Sequence, residues 1–152
     1  MKKKTPNAQR RTSNLEFRPE RVYEVPDGEY RSESRPKYDL EERLLAFTAS
    51  VVQLADTLPN TKAGNHIAGQ LLRCGTSPLA NHGEVEAAES RKDFLHKLRI
   101  CLKELRETWR WLRLIARLEL ADATRRRAAL LEIEELIRIF AASVRTTEKN
   151  TR

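Results

Sequence analysis

Four stretches of this sequence place their larger apolar residues at steps that alternate between four and three, and that spacing leaves few folds open. Leu40, Leu44, Phe47, Val51, Leu54 and Leu58 make the first seam. Ile67, Leu71, Cys74, Pro78, Asn81, Val85 and Ala88 make the second, with Pro78 and Asn81 as its two anomalies. Leu95, Leu98, Leu102, Leu105, Trp109, Leu112 and Ala116 make the third, and Leu130, Ile133, Ile137, Phe140 and Val144 the fourth. A mean step near 3.5 keeps one face of an α-helix turned to a neighbour, whereas a half-buried strand needs a step of two, which the chain nowhere sustains. The links between seams are short, marked by Pro59-Asn60 and by Leu120 to Asp122, and a link of a few residues cannot carry the chain back to the far end of a helix. The fold expected is all-α, an antiparallel up-and-down four-helix bundle.

Local signals set the ends of the helices. Asp39 with Glu42, and Ser90 with Asp93, stand at the spacing of a capping box ahead of the first and third seams. Pro78, preceded by Gly75-Thr76-Ser77, predicts a kink or break in the second helix, because proline lacks the N–H and crowds the preceding turn. Asn81 is expected to carry an amide into the core. Residues 1–37 hold four of the six prolines and no apolar period, so they read as a flexible, disordered N-terminal arm, basic through Lys2, Lys3, Lys4, Arg10 and Arg11. The bundle is expected over 38–147 and a disordered C-terminal tail over 148–152.

The net charge of +7 favours polyanionic partners, RNA or DNA, over neutral or acidic ones. Aromatic residues make up only 6% and glycines number five, too few for the stacking sheet of an RNA-recognition fold or the turns of a barrel. Met1-Lys2-Lys3-Lys4 is followed by Pro6, Asn7 and Gln9 rather than an apolar leader, and no run reaches the ~18 apolar residues of a membrane span. Cys74 and Cys101 stand apart in helical segments and read as buried thiols in a reducing compartment. A cytoplasmic protein without membrane contact is expected.

The third helix carries the feature closest to function. Lys92, His96, Arg99, Lys103, Arg106, Arg110, Arg113 and Arg117 step by four and three on one face, offset from the seam by roughly a third of a turn at 100° per residue. A cationic stripe of this kind suits phosphates, which it binds by releasing counterions without reading bases. The bland alternative is a solvated flank, or ion pairing with Glu132 and Glu135 of the fourth helix or with acids of another chain. In that case the protein is an interaction module with no nucleic-acid contact. Asn81 and Glu84, one turn apart, lack a nearby nucleophile or base and read as a structural polar network. His66, His82 and His96 are isolated from one another, so neither a metal, a cofactor nor catalytic residues are expected. Trp109 is expected in the core, and Trp111, off the seam, against a base or a partner subunit.

One constellation goes further. Gln70, Arg73, Asn81, Glu84, Ser90, Asp93 and Phe94, within a Gln-Leu-Leu-Arg run and a Ser-Arg-Lys-Asp-Phe run, resemble the four-helix-bundle proteins encoded in intervening sequences of bacterial 23S ribosomal RNA genes. Relatives of the accessory variability protein of diversity-generating retroelements belong to the same family. The resemblance spans about residues 39 to 147. This chain departs from it at Pro78, His82 and Gly83, where a small aliphatic residue, an aromatic or aliphatic residue and a helix former are usual. It implies a cytoplasmic, non-catalytic bundle with a positive surface that assembles into a homo-oligomeric ring, a pentamer. For retroelement members it also implies binding to a reverse transcriptase and to RNA.

An arm of this composition is expected to be dispensable for folding. Removing residues 1–37 leaves the cooperative thermal unfolding transition, followed by circular dichroism at 222 nm, nearly where it is in the full chain. A large drop in melting temperature or helicity would place the arm in the core.

Overall fold

The structure, a computed structural model, describes residues 39–149, which form α1 (Leu40–Asp56), α2 (Lys62–Glu86), α3 (Arg91–Arg117) and α4 (Ala123–Lys149). The arm expected over 1–37 lies outside the described residues. Each helix packs on its neighbours in sequence, and a slighter contact between α1 and α4 closes the ring, which is the expected all-α up-and-down bundle. The fourth helix runs on to Lys149, so Glu148 and Lys149 are helical where a tail had been expected from 148. Glu148 is held by Arg99 of α3 at 2.7 Å.

Side-chain oxygens begin all four helices. Asp39 accepts from the Glu42 N–H at 3.0 Å, Thr61 from Gly64 at 3.0 Å, Ser90 from Asp93 at 3.2 Å and Asp122 from Arg125 at 3.0 Å. Each answers an N–H that has no partner within its own helix. The link from α3 to α4 closes differently, with the Leu120 N–H reaching back to the Ile115 carbonyl at 3.0 Å and the Glu119 N–H to that of Ala116 at 3.2 Å. That pattern needs a left-handed residue after the helix, and Glu119 takes the position at φ 54°.

The core holds Leu44, Phe47, Val51 and Leu54 of α1, Leu71 and Cys74 of α2, and Ile133, Leu136 and Phe140 of α4. On α3 the seam shifts from the expected one. Leu98, Leu102, Leu105 and Leu112 are buried as expected, but Phe94, Cys101, Thr108 and Ile115 fill the remaining places, while Leu95, Trp109 and Ala116 are only half-buried. Because α3 lies between α2 and α4, its buried arc is wider than one seam. The Cys101 and Thr108 edge faces α2, where Cys101 donates its thiol proton to the Pro78 carbonyl across 3.9 Å.

Of the kink or break expected at Pro78, a break is excluded, since α2 is one helix through it, with Pro78 itself buried. Hydroxyl and amide side chains bond back along this segment, from Thr76 to the Leu72 carbonyl at 2.8 Å and from Asn81 to the Ser77 carbonyl at 2.9 Å. The weak helix former Gly75 is there for packing. A Cβ on Gly75 would stand 2.6 Å from Val51 Cγ1 of α1 and 3.6 Å from Thr108 Cγ2 of α3, so three helices converge on its bare Cα. The expectation that Asn81 enters the core is also corrected. Counting through the proline turn puts His82 inward instead, 2% exposed and edge-on to Phe140 of α4 with ring centroids 6.2 Å apart.

Gly69 and Gly83 of the same helix have nothing within 4 Å of a Cβ. Gly75→Ala is therefore expected to lower stability by about 1 to 3 kcal/mol through overpacking. Gly69→Ala is expected to raise it by up to about 1 kcal/mol through helix propensity. Urea denaturation of the two variants checks the contrast, and equal effects would mean that α1 and α2 do not approach at Gly75.

Candidate nucleic-acid interface

The Ser90 cap fixes where α3 starts, and the burial of Phe94, Leu98, Leu105 and Leu112 fixes its rotation about its own axis. The opposite face is settled by the same rotation. Lys92, His96, Arg99, Lys103, Arg106, Arg110, Arg113 and Arg117 are all exposed. At 1.5 Å per residue the stripe from Lys92 to Arg117 is about 38 Å long.

Among the described residues, most of this charge has no carboxylate partner. Arg99 pairs with Glu148 of α4, and Lys103 lies 3.7 Å from Glu104. Among the described residues no carboxylate lies within 4.0 Å of the side-chain nitrogens of Lys92, Arg106, Arg110, Arg113 or Arg117. Arg110 instead donates to the Arg106 carbonyl at 3.3 Å. The acids of α4 considered as partners for the stripe are engaged elsewhere. Glu132 receives Nε and Nη2 of Arg43 from α1, at 2.5 and 3.0 Å, and Glu135 pairs with Arg138 on its own helix. On the other edge of α3, Glu107 holds Arg73 of α2.

Between α3 and α4 the stripe borders a cleft of about 380 Å³ lined by Arg106, Trp109, Arg110, Glu134, Ile137 and Arg138. Trp109, expected in the core, is half-buried here; its indole N–H donates to Glu134 Oε1 at 3.3 Å. The Arg113 guanidinium lies 4.5 Å from its ring centroid, within the range of a cation–π contact. Sequence reasoning missed this group because its members are split between two helices. Trp109 at a seam position, flanked by arginines at three residues before and four after, was the available signal. Trp111 is half-buried, with its ring edge-on to His66 of α2 at 6.1 Å.

Asn81 and Glu84 are not brought into one network. The Asn81 amide donates to the Ser77 carbonyl and to Ser77 Oγ at 2.8 Å, whereas Glu84 is 67% exposed and lies 3.6 Å from Lys97 of α3. Lys97 also pairs with Asp93 at 2.9 Å; that hydrogen bond holds the Asp93 carboxyl below its ordinary range.

Perturbed ionisable groups often mark catalytic sites, but here those with clear shifts sit in the core or at a helix start. Burial pushes the Cys101 thiol up to about 12 and raises that of Cys74, leaving both protonated at neutral pH. Burial likewise pushes His82 below its ordinary value, against an opposing pull from Glu86, Glu41 and Asp39. Among the described residues no group of three His, Cys, Asp or Glu side chains is placed to hold a metal ion. No helix among them is long and apolar enough to cross a membrane.

The family model of the 23S rRNA-intervening sequence protein matches residues 37–142. A crystal structure of a protein of unknown function from the S23 ribosomal protein family, from Bacteroides thetaiotaomicron, is 33% identical to this chain. The match covers 70% of this chain and 98% of that one, with a TM-score of 0.65. No curated protein is significantly similar in sequence.

His82 gives the bundle a pH dependence of definite sign. The unfolded chain takes up a proton near the ordinary histidine value of about 6.5, while the folded chain resists it until lower pH. Stability from this residue is complete above about 6.5 and falls as the pH drops from there towards the folded value. A His82→Leu variant is expected to lose less stability than the parent between pH 7 and 5 in urea titrations. Parallel losses in the two proteins would show that His82 does not contribute.

Proposed function

We propose, for a chain that belongs to the family of 23S rRNA-intervening sequence proteins, that this bundle is a non-enzymatic RNA-binding scaffold whose α3 stripe lies along phosphates. The observation that carries the reading is the exposed run from Lys92 to Arg117, in which five cations have no carboxylate partner among the described residues. Like charges one turn apart on a helix repel by a few tenths of a kcal/mol per pair, and a polyanion laid along them relieves that repulsion. Binding of this kind fixes register and orientation on the nucleic acid without reading its sequence.

The non-enzymatic part of the proposal is supported by the two thiols, which burial keeps protonated. The scaffold is further proposed to assemble with copies of itself in the cytoplasm, as a ring of five, within a larger nucleoprotein that includes a reverse transcriptase. Leu114, Leu118 and Leu131, 38, 52 and 58% exposed around the α3–α4 link, support a protein contact at that end. They equally favour a second reading, in which the bundle binds only protein and its cations pair with acids of the partner.

Lys92, Lys103 and Arg117 sample the stripe along its length and lie outside the α3/α4 cleft, so replacing all three with Gln tests the track itself. The affinity of the parent for mixed-sequence RNA, read by fluorescence anisotropy, is expected to fall steeply with salt. The triple variant should show a log–log salt slope lower by about 2 to 3 and weaker binding to every sequence tried. Unchanged slope and affinity with RNA bound would remove the stripe from the interface. Failure to bind RNA even at low salt, with the oligomer dissociated in the variant, would favour the protein-only reading.

A further inference from the structure

The cleft beside the stripe has a different chemistry from the stripe. One wall offers phosphate-binding cations, Arg106 and Arg110, neither with a carboxylate partner among the described residues. The lining also includes apolar and π side chains, Ile137 and Trp109. Arg113 lies over the Trp109 ring, 4.5 Å from its centroid, and is not among the residues that line the cleft. Glu134, also in the lining, uses Oε1 to hold the indole N–H, and Oε2 takes no hydrogen bond from the described residues. Arg138 at the far side is already paired with Glu135.

An A-form duplex presents phosphates and 2′-hydroxyls but keeps its bases stacked inside, so it can use the cations and not the indole. A single strand has bases free to turn outward. Stacking of one on an aromatic face adds to what the backbone contacts supply, whatever the base. The geometry points to the α3/α4 cleft as a subsite for one unpaired nucleobase of single-stranded RNA: the base lies against Trp109 and Ile137, the neighbouring phosphates on Arg106 and Arg110, and Glu134 Oε2 accepts from an amino or imino N–H of the base. Preference for single strand over duplex is the consequence. The inference rests on the phosphate-track reading and adds to it the class of RNA that the track accepts.

Trp109 and Trp111 are the two tryptophans of the chain, so a Trp111→Phe protein reports Trp109 alone. In it, a 12-nucleotide mixed-sequence RNA is expected to quench Trp109 emission on saturation, and the same strand annealed to its complement to bind with little quenching. In the otherwise native chain, Trp109→Leu should weaken single-strand binding roughly tenfold while duplex binding stays within about twofold, and Trp109→Phe should recover most of the loss. Binding of both RNAs without quenching, or an equal loss for both in Trp109→Leu, overturns the subsite and leaves the phosphate track standing. Should neither RNA bind at low salt, the track fails and the subsite with it. Should Trp109→Leu not fold, the emission of the intact Trp109 decides.

Discussion

The apolar face of α3, clamped between α2 and α4, is the constraint on which the remaining features depend. Phe94, Leu98, Leu105 and Leu112 are essentially excluded from solvent, so turning the helix by one residue, 100°, would bring buried leucines to the surface and arginines into the core. Each large side chain so exposed would forgo on the order of 1.5 to 3 kcal/mol of burial, and each unpaired arginine so buried would cost several more. The rotation is thereby fixed, and with it the outward aim of the stripe. Charge placement here is a by-product of core packing on the same helix.

Close approach of α1, α2 and α3 at Gly75 supplies the second constraint. Val51 fills the space that a side chain at that position would occupy, Thr108 stands in van der Waals contact beside it, and Pro78, one turn along, is packed against α3 with its carbonyl taking the Cys101 thiol. A proline in mid-helix costs roughly 3 kcal/mol in isolation. In α2 the flanking segment is buried on both neighbours, and side chains from Thr76 and Asn81 bond to its carbonyls. Tertiary packing thus overrides a local preference that on its own would end the helix.

The electrostatics follow from which acids the packing commits. Arg43 crosses from α1 to clasp Glu132, Arg73 crosses from α2 to Glu107, and Arg138 takes Glu135, leaving Glu148 as the α4 carboxylate that reaches the stripe. Cations about one turn apart lie within the Debye length of about 10 Å at 0.1 M salt and so act on an approaching anion together. The belonging of the chain to the 23S rRNA-intervening sequence family and its likeness to the S23-family crystal structure establish the bundle.

By itself the sequence determined the number of helices, their caps at Asp39 and Ser90, the exposure of the whole stripe and the burial of Leu98, Leu105 and Leu112. These depend on the 3.6-residue turn and on contacts within a few residues, which spacing records directly. Tertiary structure alone decided that Cys101 and Thr108 rather than Trp109 complete the core of α3, that His82 rather than Asn81 faces inward, and that α2 runs unbroken through Pro78. Spacing along one helix does not say on which side its neighbours stand. Nor does it reveal that Glu132 is taken by Arg43, 89 residues away, or that Trp109 meets Glu134 across a cleft. Such pairings are set by distances between side chains far apart in sequence, and those distances exist only once the helices have packed.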